Sequence, residues 1–153
     1  CEERLPIPEF DDFGNLPAGF HDASLREIET RYCWNAQRQR IFTLASVWIE
    51  HMRAAGCKTI YLDGSFVTAK EIPNDFDACY DPRGIDWNLT DPVFRDLTPE
   101  RNQRLKLRFG GDVRADYEFP PNAATTYLKF FMRDRSANRE KGIVRLNLTK
   151  DSQ

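Results

Sequence analysis

The sequence predicts a single α+β domain in which a mixed β-sheet is flanked by helices. The chain has 153 residues, a length that fits one domain with a substantial core. Segments with helical periodicity alternate with short segments typical of strands. A tight strand-turn-strand region surrounds Gly64 and Ser65, which together with the interleaved helices indicates a mixed sheet in an α+β or α/β domain, and α+β is the predicted class.

The first part of the chain predicts an extended N-terminal arm over residues 1–22, where Pro, Gly and Asp are frequent. A Ser24-x-x-Glu27 capping box begins a short helix that extends to about residue 32. A second helix is predicted over 35–55, because six apolar residues follow one helical stripe, namely Ile41, Leu44, Ala45, Trp48, Ile49 and Met52.

The domain proper, residues 23–153, continues with strands at 59–63 and 75–80 on either side of the Gly64-Ser65 turn. A helix is predicted from Thr98 to residue 109, where Gly110 and Gly111 end it. An alternating strand at 112–119, a helix at about 123–133 and a closing strand at 143–148 complete the expected order.

Composition excludes a membrane-spanning protein and a zinc-finger protein. Hydrophobic residues make up 41% of the chain and charged residues 30%, and no apolar run reaches the roughly 20 residues that span a bilayer. The four cysteines lack C-x-x-C spacing, and the acidic N-terminus does not resemble a secretory signal. These features predict reduced thiols and a cytoplasmic protein.

Charge is distributed unevenly along the chain. Residues 1–80 carry 8 Lys and Arg against 13 Asp and Glu, whereas residues 81–153 carry 14 against 11. Arg101, Arg104 and Arg108 share one face of a predicted helix, with Lys106 nearby. This face either contacts the phosphates of a nucleic acid or a triphosphate, or is an ordinary solvated surface.

Two carboxylates in the second strand, Asp75 and Asp77, point to the same side with their Cα atoms roughly 6.5–7 Å apart. At an effective dielectric near 20, their charges repel by about 2.5 kcal/mol. A basic side chain or a divalent cation is needed to offset this repulsion. No Lys or Arg lies within four residues of the pair, which favours a cation, although a basic residue distant in sequence could also reach it.

A glycine and a serine at the end of the preceding strand point to phosphate binding. Gly64 lets backbone N–H groups approach a phosphate closely, and the Ser65 hydroxyl adds a hydrogen-bond donor. Mg²⁺ binds through one or two carboxylates together with substrate phosphates and waters. The two signals thus predict phosphate and metal capture at the ends of neighbouring strands.

These motifs resemble the nucleotidyltransferase superfamily of the polymerase-β kind, in which Gly-Ser is followed by two carboxylates and then by a third on a later strand. The whole chain is similar to short, largely uncharacterised nucleotidyltransferase-like proteins of bacteria and phages. The stretches that carry this similarity are IPEFDDFGNLP (7–17), YLDGSFVT (61–68), NDFD (74–77), FGGD (109–112), YLKFF (127–131) and KGIV (141–144).

The resemblance implies a set of site residues. Asp75 and Asp77 would bind Mg²⁺ or Mn²⁺, and Gly64 and Ser65 would hold the β- and γ-phosphates of a nucleoside triphosphate. The third carboxylate is Asp112 or Asp116, of which the FGGD match favours Asp112. The sequence assigns Asp63, immediately before the glycine, to turn geometry rather than to the metal.

The implied activity is transfer of a nucleoside monophosphate to a hydroxyl of a protein, an RNA or a small molecule, without any role for histidine. By analogy, a toxin–antitoxin or defence partner or a homo-oligomer is expected. The stretch after Ser65, FVTAK (66–70), departs from many members of the superfamily because it contains no second glycine. A catalytically silent binding module, such as an antitoxin or an assembly protein, is therefore the alternative.

Overall fold

A computed structural model describes residues 6–118, 125–134 and 138–149 and confirms a single α+β domain with a mixed sheet. The described helices are α1 (Leu25–Tyr32), α2 (Ala36–Ala54), α3 (Arg101–Phe109) and α4 (Tyr127–Phe131). The strands are β1 (Gly19–Asp22), β2 (Thr59–Asp63), β3 (Phe76–Tyr80), β4 (Gly111–Ala115), β5 (Arg133–Asp134), β6 (Arg139–Glu140) and β7 (Gly142–Asn147). None of the described helices combines the length and the apolar character needed to cross a membrane.

Five strands form the main sheet in the order β1-β7-β2-β3-β4. β2 pairs antiparallel with both β7 and β3, whereas the β1–β7 and β3–β4 pairs are parallel. β5 and β6 form a separate two-stranded hairpin. This topology brings the end of β2 and the beginnings of β3 and β4 to one end of the sheet.

Helices α1, α2 and α3 contribute buried residues to the core on one face of the sheet, whereas Tyr127 of α4 contacts Arg114 on the other face. Trp48 of α2 is fully buried, and its ring centroid lies 6.0 Å from that of Phe76 in β3. Five of the six apolar residues predicted to face inward from α2 are buried, but Leu44 is 46% exposed. Leu44 lies over Gly110 instead, where an added Cβ would be 2.8 Å from its Cδ1. The predicted stripe is therefore one residue too wide.

The N-terminal arm lies on the domain and contributes to the sheet. Its last four described residues form β1, which pairs in parallel with β7 as an edge strand. Leu16 of the arm is buried, and its carbonyl oxygen accepts a hydrogen bond from the Gly142 N–H at 2.9 Å. The sequence predicted the extended path but not this strand.

Several predicted boundaries differ from the structure. α3 begins at Arg101 rather than Thr98, and its N-terminus has no side-chain cap. The strand expected at 112–119 ends at Ala115, where a turn follows. Residues 119–124 lie outside the described residues, so only α4 can be compared with the helix expected at 123–133. β6 lies between the helix expected at 123–133 and the strand expected at 143–148, where the sequence predicts a loop over 136–141 and no strand.

Three cysteines are described, and all have free thiols. Cys57 and Cys79 are buried and Cys33 is partly buried. Burial raises the pKa of the Cys57 thiol to about 11, so this thiol is protonated at neutral pH. Cys57 and Cys79 are therefore small buried residues with free thiols, the role that the sequence predicts for these two.

Candidate functional site

Three aspartates lie side by side at one end of the sheet. The register of the β2–β3 pair places Asp63 opposite Asp77, and the register of the β3–β4 pair places Asp77 opposite Asp112. Neighbouring strands are about 4.8 Å apart, so these residues form one row across three strands. We call Asp63, Asp77 and Asp112 the aspartate row.

Strand alternation explains why these acids share a face. Leu62, Ala78 and Val113 form the adjacent row of paired residues, and all three are buried in the core. Because successive side chains of a strand point to opposite faces, the aspartate row lies on the face away from that core. The period-two pattern of each strand therefore brings the acids together.

Asp63 is fully buried, and neither of its carboxylate oxygens has a hydrogen-bond partner among the described residues. Burial, and next the charge of Asp77, raise the pKa of its carboxyl well above the ordinary value, while the charge of Lys141 lowers it in part. The assignment of Asp63 to turn geometry is therefore incomplete, because its side chain belongs to the row. Strand alternation from Leu62 could have revealed this position.

Asp77 is at the centre of the row and partly buried. Burial, followed by the charges of Asp75 and Asp112, raises the pKa of its carboxyl to about 7. Gly64, with a positive φ of 76°, lies directly against it, since a Cβ added there would be 2.2 Å from the Asp77 Oδ2. The glycine predicted to admit a phosphate is therefore also required by the close approach of this carboxylate.

Asp75 immediately precedes β3 and is paired with a lysine from α3. The Lys106 Nζ lies 2.8 Å from the Asp75 Oδ2. The hydrogen bond with Asp75, and to a lesser extent the charges of Asp112 and Asp77, raise the pKa of Lys106, whose own charge lowers the pKa of Asp77. The amino group of Lys106 is thus electrostatically coupled to all three acids at the beginning of β3 and β4.

Asp112 has its own basic partner on the same strand. The Arg114 Nε donates a hydrogen bond of 2.7 Å to the Asp112 Oδ1, and the Arg114 Nη1 donates one of 2.9 Å to the hydroxyl of Tyr127 in α4. The guanidinium also stacks on the Tyr127 ring at 4.5 Å. This pair is largely shielded from solvent, with 18% of the Arg114 side chain and 29% of the Asp112 side chain exposed.

Asp116, the other candidate for the third carboxylate, is not in the row. Its backbone N–H donates to the carbonyl oxygen of Tyr80, at the far end of β3 from Asp77. After burial, the charge of Asp81 is the main cause that raises the pKa of Asp116. The structure therefore brings Asp112 and not Asp116 to Asp77.

The loop that carries Gly64 and Ser65 is attached to α2 by one buried arginine. The Arg38 guanidinium donates to the carbonyl oxygens of Tyr32, Ser65, Phe66, Thr68 and Lys70 at 2.6–3.4 Å. It stacks on the ring of Trp34 at 3.7 Å, and burial lowers its pKa to about 10. Sequence reasoning missed Arg38, and its place in the buried stripe of a helix was the available signal.

The basic face of α3 is neutralised by acids of the same chain. Arg101 pairs with Glu118, Arg104 with Asp96 and Arg108 with Asp91, at 3.2, 2.5 and 2.8 Å. Together with Lys106, all four basic residues named from the sequence have an acidic partner. This arrangement favours a solvated, internally paired surface over a nucleic-acid interface.

The residue types of the row suit a divalent cation, because carboxylate oxygens are its preferred ligands and Asp63 offers two without partners. The spacing is a separate matter. Among residues 6–118, 125–134 and 138–149, no three His, Cys, Asp or Glu side chains come close enough together to hold a metal ion. The residue types therefore suit a cation, but their arrangement in the described residues does not form a ready metal site. Asp75 and Asp112 are instead paired with Lys106 and Arg114.

Comparison with known proteins identifies the family of the chain. The sequence model of a family of unknown function, DUF6932, matches residues 8–147. The chain belongs to the DUF6932 family. No curated protein and no solved structure matches it. The matched region of this DUF6932 chain includes the aspartate row, the Gly64-Ser65 loop and Arg38.

Proposed function

We propose that this protein is a metal-dependent nucleotidyltransferase that moves a nucleoside monophosphate from a nucleoside triphosphate to a hydroxyl group. The observation that supports this proposal is the aspartate row, in which acids from three neighbouring strands meet beside the Gly64-Ser65 loop. Buried like charges without a partner are costly, and they are typical of sites that bind a cation or a proton.

Each residue of the site has a role in the proposed activity. Asp75 and Asp77 would hold Mg²⁺ or Mn²⁺ together with oxygens of the triphosphate, and the ion would supply charge neutralisation there. The Gly64-Ser65 loop, fixed by Arg38, would orient the phosphates. Asp112, as the third carboxylate, would help to lower the pKa of the acceptor hydroxyl, which would attack the α-phosphorus and expel pyrophosphate. The acceptor belongs to a protein, an RNA or a small molecule.

A catalytically silent binding module is the second candidate, and a specific observation favours it. Asp75 and Asp112 already have basic partners in Lys106 and Arg114. If these ion pairs persist in the presence of Mg²⁺, the acids are already neutralised and the domain binds no cation at this end of the sheet. Such a protein would act through a partner, as an antitoxin or an assembly protein does, or through a second copy of itself.

Label transfer distinguishes the two candidates. The full chain is incubated with α-labelled ATP, GTP, CTP or UTP and with Mg²⁺ or Mn²⁺, alone and with cell extract. The proposal expects label on an acceptor that disappears with Asp77→Asn and persists with Asp12→Asn, which removes the same charge from an exposed position. Absence of label, together with melting temperatures unchanged by either cation, would support the silent module.

A further inference from the structure

Lys106 of α3 contacts the acids at the beginning of β3 and β4. Its Nζ contacts Asp75 at 2.8 Å and is coupled to Asp77 and Asp112 as well. We propose that Lys106 is an exchangeable counter-ion, which neutralises these acids in the ligand-free protein and transfers to a phosphate when a divalent cation and a triphosphate bind. This inference rests on the proposed function, because it assigns the triphosphate a ligand.

The side chain of Lys106 is free to make this exchange. Leu105 and Phe109 are buried and fix α3 against the sheet, whereas 55% of the Lys106 side chain is exposed. An ion pair with that exposure is weak, and a lysine has a flexible four-carbon stem with a compact charge. The helix therefore remains in place while the amino group moves.

The acids need more compensation than Lys106 provides. Lys106 pairs with Asp75, and Arg114 pairs with Asp112. Lys141 offsets the charges of Asp63 and Asp77 only in part, and both buried oxygens of Asp63 lack a hydrogen-bond partner among the described residues. A divalent cation supplies twice the charge of an ammonium group to the same oxygens. The displaced amino group would then be available to donate charge-assisted hydrogen bonds to a phosphate bound at these acids.

Exchange predicts two effects of opposite sign from one substitution. Lys106→Met removes the competitor of the cation, so Mn²⁺ alone binds about tenfold more tightly. The same change removes a phosphate ligand, so inorganic tripolyphosphate with Mg²⁺ binds about tenfold more weakly. Both affinities are measured by calorimetry on the full chain. Tripolyphosphate is the probe because it carries the phosphates common to all four nucleotides.

Arg104→Met is the matched control. Arg104 lies on the same helix, is also 55% exposed and pairs with Asp96 rather than with the row. Arg104→Met also removes one positive charge. Because Arg104 can act on the row only through long-range electrostatics, the affinities for Mn²⁺ and for tripolyphosphate should stay within about twofold of the wild type. Tighter Mn²⁺ binding and weaker tripolyphosphate binding in Lys106→Met alone would establish the exchange.

Three other outcomes would overturn the inference. Equal effects of the two substitutions would show that Lys106 is an ordinary surface ion pair, while the proposed function survives if the wild type binds both ligands. Tighter Mn²⁺ binding with unchanged tripolyphosphate binding would leave Lys106 a competitor that never contacts phosphate. A wild type that binds neither ligand would refute the proposed function and this inference together.

Discussion

Replacement of Asp77 by asparagine tests whether the centre of the aspartate row is electrostatically destabilised. The substitution keeps the shape of the side chain that packs against Gly64 and removes its charge. The pKa of this carboxyl is about 7 in the folded protein. In an unfolded chain an aspartate titrates at about 3.9.

The difference sets both the sign and the size of the effect. Below about pH 4 the carboxyl is protonated in both states and costs nothing. Between about pH 4 and 7 the unfolded chain ionises first, so the stability of the wild type falls as pH rises. Above pH 7 the loss reaches up to about 4 kcal/mol, and solvent at this partly buried site reduces it. Asp77→Asn removes this loss.

Urea denaturation followed by tryptophan fluorescence measures the difference at several pH values between 4 and 8.5, in the presence of a chelator. Asp77→Asn is expected to match the wild type near pH 4 and to exceed it by about 2–4 kcal/mol at pH 8. Asp12→Asn, at an exposed position, controls for net charge. A gain that does not change with pH, or an asparagine variant less stable than the wild type at pH 8, would refute the reasoning.

Three further substitutions test other parts of the site. Arg38→Met leaves five carbonyl groups without their donor, two in buried and three in partly buried hydrogen bonds, so the free energy of unfolding in urea should fall by about 3–5 kcal/mol, whereas exposed Arg40→Met should change it by less than about 0.5 kcal/mol. Gly64→Ala places a methyl group 2.2 Å from a carboxylate oxygen at a positive φ and should cost at least about 2 kcal/mol in the same assay. Asp112→Asn should abolish label transfer and Asp116→Asn should preserve it; the reverse result would exclude the register argument.

The sequence predicts the acids of β3 and β4 well because strand periodicity is local. Alternation over 75–80 and from residue 112 places Asp77 and Asp112 on faces that the sheet then aligns. The same periodicity in β2 places Asp63 beside Asp77. Asp63 is overlooked if the residue before Gly64 is assigned to the turn. It is the last paired residue of β2, and the alternation of side chains continues up to that residue.

The partners of the acids could not be predicted in the same way. Lys106 reaches Asp75 from α3, and Arg38 reaches the Gly64 loop from α2. Both contacts depend on how a helix is placed against the sheet, which no local pattern specifies. The N-terminal arm is a further example. Its sequence predicts an extended path, but β1 is a strand because it pairs with β7, which is distant in sequence.

Asp63 distinguishes the two candidate functions, the enzyme and the silent module, better than the paired acids Asp75 and Asp112 do. Lys106 and Arg114 account for Asp75 and Asp112 in either protein, but neither neutralises a buried carboxylate whose oxygens have no partner among the described residues. Burial raises its pKa, so its ionised form destabilises the fold and Asp63→Asn should raise stability at pH 8 in both cases.

Mn²⁺ binding by Asp63→Asn shows which of the two functions explains this gain in stability. In the enzyme, the divalent ion would attract the ionised form of Asp63 and favour its deprotonation, so Asp63→Asn should weaken Mn²⁺ binding by about tenfold while the protein becomes more stable. In a silent module the same variant becomes more stable and Mn²⁺ has no effect on either form. A variant that is more stable and binds Mn²⁺ as tightly as the wild type would show that Asp63 contributes nothing to a cation site, and a buried acid adjacent to that site would then have no functional explanation.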